Sequence, residues 1–198
     1  MLTPERTALL LLAAGRSQRF GTLDKLAMPY LGKPLALHAV TALMDLPFLM
    51  RVAVVAGTKV DFTAFGYKAV HNSAPDLGQS QSLSHGVAVA RNAGADAVLV
   101  VLADMPLVSA GHVRRLFATA AGTDAIVASS DGTKSSPPAL FGQGWFEVLM
   151  DLKGDQGARD LVRRGRQVVT SSTELVDVDT PEDLERLNEL YGLGTDRM

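Results

Sequence analysis

Residues 9–25 read LLLLAAGRSQRFGTLDK, and the change along this stretch from apolar to glycine-rich and cationic decides the fold. Ala8 to Ala13 is an uninterrupted apolar run that is cut short at Ala14 and Gly15. A run this brief, closed by glycine and a polar loop, fits a strand buried on both faces better than a helix, and such strands belong in the middle of parallel sheets. Behind it come Gly15, Arg16, Arg19, Gly21 and Lys25, two permissive backbone positions and three cations in one loop. Glycine lets backbone N–H groups turn inward around an anion, and arginine and lysine add charge-assisted hydrogen bonds to phosphate oxygens. The stretch therefore predicts a polyphosphate cradle at the carboxyl end of the central strand. Spacing excludes two other phosphate loops. Five residues separate Gly15 from Gly21 and Lys25 lies four past Gly21, which does not fit the P-loop, and no G-x-G-x-x-G is present. On the residues alone, an ordinary strand-to-helix loop with a solvated basic rim accounts for the same pattern.

Working outward, Pro34 to Leu46 carries apolar residues at helical spacing, and Arg51 to Ala56 reads as a second buried strand ended by Gly57. Strand, helix and strand in this order predict a right-handed crossover. Asp61 to Tyr67 reads as a short helix and Lys68 to His71 as a short strand. In Asn72 to Gly86, Pro75 and Gly78 break structure, and Ser80, Ser82 and Ser84 offer N-caps for a helix to about Ala93. Ala97 to Ala103 is another continuous apolar run, followed at once by Asp104-Met105-Pro106. An acid at the carboxyl end of a buried parallel strand lies on the edge where open α/β sheets bind ligands, although an aspartate there is also a common turn former.

Ser109 to Ala121 predicts a helix and Asp124 to Ser130 a fifth strand. Pro137 and Pro138 cannot donate to a ladder, which predicts an edge or irregular crossing segment there. Gly144 to Lys153 reads as a helix, and a further helix start is bounded by glycine with Asp155 as its cap. Val168 to Ser171 and Leu175 to Val178 read as short strands, with Asp177 and Asp179 on one face. Thr180 is an N-cap and Pro181 a first helical position for a last amphipathic helix through Leu184, Leu187, Leu190 and Tyr191.

With 198 residues and 47% hydrophobic content, one domain spanning residues 1–198 is expected, burying roughly 70% of the unfolded surface. A net charge of -2 carries no polyanion-binding signature, so no nucleic-acid partner is expected. The absence of cysteine excludes disulfides and thiolate metal sites and fits a reducing compartment. No apolar run is long enough to span a bilayer and no leader-like segment precedes the first strand, so a cytoplasmic protein without membrane contact is expected. His38, His71, His85 and His112 show no metal-ligand spacing, and Arg163, Arg164 and Arg166 read as a solvated helix end.

The string from Leu12 to Gly21, LAAGRSQRFG, followed by Asp24-Lys25, resembles the signature of the nucleotidyltransferases, in particular the branch of molybdenum cofactor cytidylyltransferase and its guanylyl-transferring relatives. The resemblance resumes at Leu102-Ala103-Asp104-Met105-Pro106, at Pro138 to Phe141, at Leu152 to Arg159 and at Asp177 to Asp183. It implies a three-layer, Rossmann-like α/β fold with a mostly parallel mixed sheet. Leu12, Ala13, Ala14, Gly15, Arg16, Ser17 and Gly21 would then hold the nucleotide, with Asn72, Gly78 and Ser82 as further contacts. Asp104 matches the family's metal-binding aspartate, and Asp179 is implied as the second ligand, with Asp177 as the alternative. Gly154 to Arg159 is implied to border the acceptor, with Arg159 pairing its phosphate or an internal carboxylate. Ser136-Pro137 departs from the Gly-His or Gly-Val that relatives often carry before the proline, which removes a histidine contact there.

This resemblance implies a reaction. Oxygen ligands from one or two carboxylates together with substrate phosphates suit Mg²⁺. An acceptor phosphate attacks the α-phosphorus of an NTP and pyrophosphate leaves, with Arg19, Lys25 and Asp104 as the catalytic residues. Guanylyl-transferring relatives usually show Leu-Ala-Gly-Gly where this chain has Leu12-Ala13-Ala14-Gly15, and a methyl at Ala14 narrows the space beneath the base in favour of a pyrimidine. The expectation is transfer of CMP from CTP to molybdopterin, with hand-over of the product to a molybdoenzyme. A sugar phosphate or polyol phosphate acceptor, or a catalytically silent nucleotide-binding homologue, is the alternative.

Overall fold

The computed structural model describes residues 1–15, 18–154 and 159–192. Among these residues nine strands are formed: β1 (Thr7–Ala13), β2 (Pro29–Tyr30), β3 (Lys33–Pro34), β4 (Met50–Val55), β5 (Lys68–His71), β6 (Ala97–Leu102), β7 (Ile126–Ser130), β8 (Ser135–Gly142) and β9 (Arg166–Val169). Six α-helices accompany them: α1 (Ala36–Ala42), α2 (Gln79–Asn92), α3 (Ala110–Thr119), α4 (Phe146–Asp151), α5 (Arg159–Arg164) and α6 (Pro181–Gly192). Seven strands make one sheet in the order β5-β4-β1-β6-β8-β7-β9, and β2 pairs with β3 in a separate hairpin. Within the large sheet β8 alone runs against its neighbours.

Residues 9–13 do form a buried interior strand, third in the order of seven, while the middle position belongs to β6. All seven residues of β1 are buried, because β4 and β6 flank it in parallel register and helices cover both of its faces. Leu9, Leu11 and Ala13 face the layer of α1 and α3, where Val40, Val113 and Leu116 meet them. Ala8, Leu10 and Leu12 face the layer of α2, α4 and α5, against Leu83, Val87 and Leu149. This alternation is the two-residue period of a strand, hidden in the sequence because both faces are apolar. A third cluster joins Phe20, Tyr30 and Leu35 to Val178, Leu184 and Leu187, and so seats α6 on the hairpin beside the carboxyl edge of the sheet. Among the described residues no helix is long and apolar enough to cross a membrane.

Four expectations need correction. Residues 137–142 are not an edge, because β8 lies inside the sheet between β6 and β7, although the irregular alternative holds at the two prolines. Its prolines are tolerated because β6 pairs only with Ala139 to Gly142, and the β7 ladder shifts register between Ala128 and Ser129, where Pro137 and Pro138 drop out of the pairing. Leu175 to Val178 is not a strand; a 3-10 turn covers Ser172–Leu175, and the Val178 N–H is tied in by donating to the Asp104 carbonyl at 3.0 Å. Ser80, Ser82 and Ser84 do not cap α2, which starts at Gln79 after Gly78. Asp61 to Tyr67 shortens to a 3-10 turn at Thr63–Phe65. The Asp155 cap lies outside the described residues. At Thr180 the cap is formed, with Thr180 Oγ1 accepting from the Asp183 N–H (3.2 Å) and Asp183 Oδ2 accepting from the Thr180 N–H (2.8 Å).

One buried polar link ties α3 to β7 and β8. Ser129 Oγ donates to the Pro138 carbonyl (2.7 Å), so its lone pairs accept from His112 Nε2–H (2.6 Å), and His112 Nδ1 accepts from Arg115 (3.0 Å). Burial first, and the Arg115 cation second, hold the His112 pKa below its ordinary value against the opposing pull of Glu174. Above about pH 6.5 the ring is neutral in folded and unfolded chains alike. Below it the unfolded chain takes up a proton that the native ring resists, so stability falls as the pH drops from about 6.5 through the depressed folded value. Urea unfolding of the wild type against His112→Gln should show this loss in the first and a flatter profile in the second; identical slopes would remove His112 as its source.

Candidate active site at the carboxyl edge of the sheet

β1 and β6 end side by side, and the Ala103 N–H still donates to the Leu12 carbonyl (3.1 Å) one residue beyond the β6 ladder. This brings Ala14-Gly15 and Asp104 to the same edge. The loop after β1 folds back as a short turn at Lys25–Ala27, and Lys25 becomes buried there although lysine is normally a surface residue. Its Nζ donates to Asp104 Oδ2 (2.7 Å) and to the Val178 carbonyl (2.7 Å), and lies 3.9 Å from Asp179 Oδ1. Arg19 Nη1 donates to Asp179 Oδ2 at 3.1 Å, in a pair that is open to solvent. Three segments far apart in sequence thus meet through two cations and two carboxylates.

A cavity of about 480 Å³ opens above this arrangement. Of the residues expected from sequence, Leu12, Ala13, Ala14 and Gly15 line it from β1, Arg19 and Lys25 from the following loop, and Gly78 and Ser82 from α2. Asp104 and Asp179 complete the acidic side. Arg16 and Ser17 lie outside the described residues. Gly21, with φ +63°, is exposed and does not belong to the lining, and neither does Asn72. Asn72 is buried behind it: its Oδ1 accepts from the Ala74 N–H (2.9 Å), which directs Nδ2 to donate to Ser82 Oγ (2.9 Å). It acts on the cavity by holding Ser82.

Sequence reasoning missed Leu26, Pro75, Asp76, Gln79 and Leu102, which also line the cavity. Pro75, Asp76 and Gln79 were within reach, because they surround Gly78; taking the serines as caps hid the true start of α2. Gly78 adopts φ +92°, a conformation open to glycine, and as the N-cap residue it has no side chain to offer the helix start. Gly78, Gln79 and Ser82 bring the start of α2 to the cavity, and a helix start carries the positive end of the helix dipole, a setting suited to a negatively charged ligand.

The carboxylates fit a hard cation. Asp104 Oδ1 is buried and makes no hydrogen bond, while Oδ2 is taken by Lys25. A buried carboxylate oxygen without a partner is costly unless a ligand supplies one. Among the described residues no three carboxylate or imidazole groups converge on a point; Asp104 and Asp179 are the two lining carboxylates that lie within 4 Å of Lys25 Nζ. Asp177 stands nearby. Partial loss of hydration, and then the charges of Asp179 and Asp104, push its carboxyl above the ordinary range even though much of the residue remains accessible to water.

Comparison with known proteins identifies the family. The family described as MobA-like NTP transferase domain matches residues 9–169. The purine catabolism protein PucB of Bacillus subtilis (strain 168) is 34% identical over 192 residues, spanning 88% of this chain and 92% of its own. A molybdenum cofactor guanylyltransferase of Shewanella pealeana is 27% identical over 188 residues, spanning 90% of this chain and 92% of its own. A nucleotidyl transferase from Methanothermobacter superposes with a TM-score of 0.78 at 22% identity, over 95% of this chain and 98% of that one, and shares its fold.

Proposed function

The chain belongs to the MobA-like NTP transferase family, and on that premise we propose that it transfers CMP from CTP to the phosphate of a molybdopterin-type acceptor, releasing pyrophosphate. The observation that carries the reading is the meeting of Lys25, Asp104 and Asp179 beneath a cavity walled by the β1 loop and the open start of α2.

An acceptor phosphomonoester with a second pKa near 6 is already largely dianionic at about pH 7, so no residue has to remove a proton. One of its oxygens forms a bond to the α-phosphorus while the bond from that phosphorus to the bridging oxygen of the β-phosphate breaks, and pyrophosphate carries the electron pair away. The obstacle is the approach of two anions. Lys25 and Arg19 supply fixed positive charge on the acidic side, and the start of α2 in the lining adds the positive end of its dipole. Mg²⁺, held by Asp104 and Asp179, would neutralise the triphosphate and fix its orientation.

The preference for CTP rests on Ala14. Ala14 lines the cavity where guanylyl-transferring relatives usually have glycine, and Leu12, also in the lining, is paired with Leu102 in the sheet. One methyl in an apolar pocket discriminates by about 10-fold or more. Pyrophosphate release with molybdopterin and each of the four NTPs is expected to favour CTP over GTP by about that factor, and Ala14→Gly to erode the preference. Preferential use of GTP by the wild type would overturn the cytosine assignment. Release only with sugar phosphates or polyol phosphates would overturn the acceptor.

A further inference from the structure

Asp24 and Lys25 are neighbours in the chain, but their side chains fasten to different parts of the molecule. Lys25 reaches toward the end of β6 and the Val178 carbonyl. Asp24 reaches to the loop that follows β4: its Oδ2 accepts from Thr58 Oγ1 (2.8 Å) and from the Lys59 N–H (2.7 Å). Its Oδ1 accepts from the Leu26 N–H (3.1 Å) and so caps the turn that contains Lys25. Thr58 Oγ1 in turn accepts from the Val60 N–H (3.3 Å), which ties it to its own loop.

Three hydrogen bonds to one carboxylate, two of them from backbone amides, make a firm anchor, because bonds to an ionised acceptor are roughly twice as strong as neutral ones. The anchor matters here because no strand or α-helix places Lys25. Its turn is three residues long, and between β1 and that turn the described chain holds only one other short turn, at Gln18–Phe20. A lysine stem has four flexible carbons, so the position of its backbone decides whether the ammonium group reaches Asp104 and the Val178 carbonyl in the observed geometry.

We infer that Asp24 is a positioning residue for Lys25, setting the height of the ammonium group at the nucleotide site by fixing its turn to the β4 side of the sheet. This rests on the catalytic role proposed above for Lys25. Asp24 does not belong to the cavity lining, so it acts through the residue that follows it.

The test is a kinetic cycle on the full chain with Asp24→Ala, Lys25→Ala and the double variant, scored by pyrophosphate release. Misplacing a catalytic group by about an ångström can cost up to about 10²-fold, so Asp24→Ala is expected to lower kcat by about 10- to 50-fold, with KM for the NTP changed less than about 3-fold. In the Lys25→Ala background the same substitution should cost less than about 2-fold, because the group it positions is gone. Asp24→Asn keeps one carbonyl acceptor and should restore part of the loss. Thr58→Val leaves the cap intact and should cost about 2- to 5-fold, again only while Lys25 is present; it serves as the second probe if Asp24→Ala does not fold. A purely structural role would give losses that multiply with that of Lys25→Ala, and this result overturns the inference. Full kcat in Asp24→Ala beside an impaired Lys25→Ala overturns it alone, whereas full kcat in Lys25→Ala overturns the reading of the site and this inference with it.

Discussion

Asp104→Asn is expected to lower turnover by about 10² or more while leaving the fold in place, by analogy with removal of one preorganised charge-stabilising group. The amide carbonyl can still accept from Lys25 Nζ, which in the wild type lies 2.7 Å from Asp104 Oδ2, so the tie across the carboxyl edge survives in neutral form. What disappears is the negative charge. Both the oxygen bound to Lys25 and the buried oxygen without a hydrogen-bond partner belong to one carboxylate, and an amide offers only one acceptor in their place. Pyrophosphate release at saturating Mg²⁺, together with a thermal melt, separates the two effects. Near-wild-type turnover under those conditions would remove Asp104 from the chemistry.

Lys25→Ala is expected to reach a similar loss in turnover, about 10² or more, and to destabilise the protein as well. Lys25 is buried and connects β6 with the segment before α6, so its removal leaves Asp104 Oδ2 and the Val178 carbonyl without their shared donor. Breaking a fully buried charged pair costs about 3–5 kcal/mol; the Asp104 side chain retains some exposure, so a loss of about 1–3 kcal/mol is expected here. Lys25→Met keeps most of the apolar stem and removes the charge, and comparing it with Lys25→Ala divides packing from electrostatics. If Lys25→Met retained turnover, the ammonium group would not be part of the catalytic apparatus, whatever the effect on stability.

Much of the fold was legible because of a physical regularity. Strands buried on both faces must be apolar throughout, so Ala8 to Ala13 and Ala97 to Ala103 stand out from the chain, and the polar residues that follow each of them must lie at the ligand-binding edge. Reading failed where tertiary partners changed what a residue could do. Pro137 and Pro138 weaken any ladder they enter, which argued for an edge; β8 nevertheless lies inside the sheet because the neighbouring strands pair with the residues beyond them. Ser82 and Ser84 suggested helix caps, but Ser82 accepts from Asn72 and Ser84 donates to the Met150 carbonyl (3.1 Å), so neither hydroxyl is needed at the helix start.

By itself the sequence determined that a buried parallel strand ends in a glycine-containing cationic loop and that a second such strand ends in an acid, because strand burial and backbone permissiveness are written in local residue types. Only the tertiary structure decided that the Lys25 ammonium is shared between Asp104 and a carbonyl next to Asp179, that Asn72 holds Ser82, and that α2 begins at Gly78 beside the cavity. Those relations join groups that are far apart along the chain or that compete for the same partner. Such contacts depend on how packed layers bring the strand ends together, and the residue types alone do not specify them.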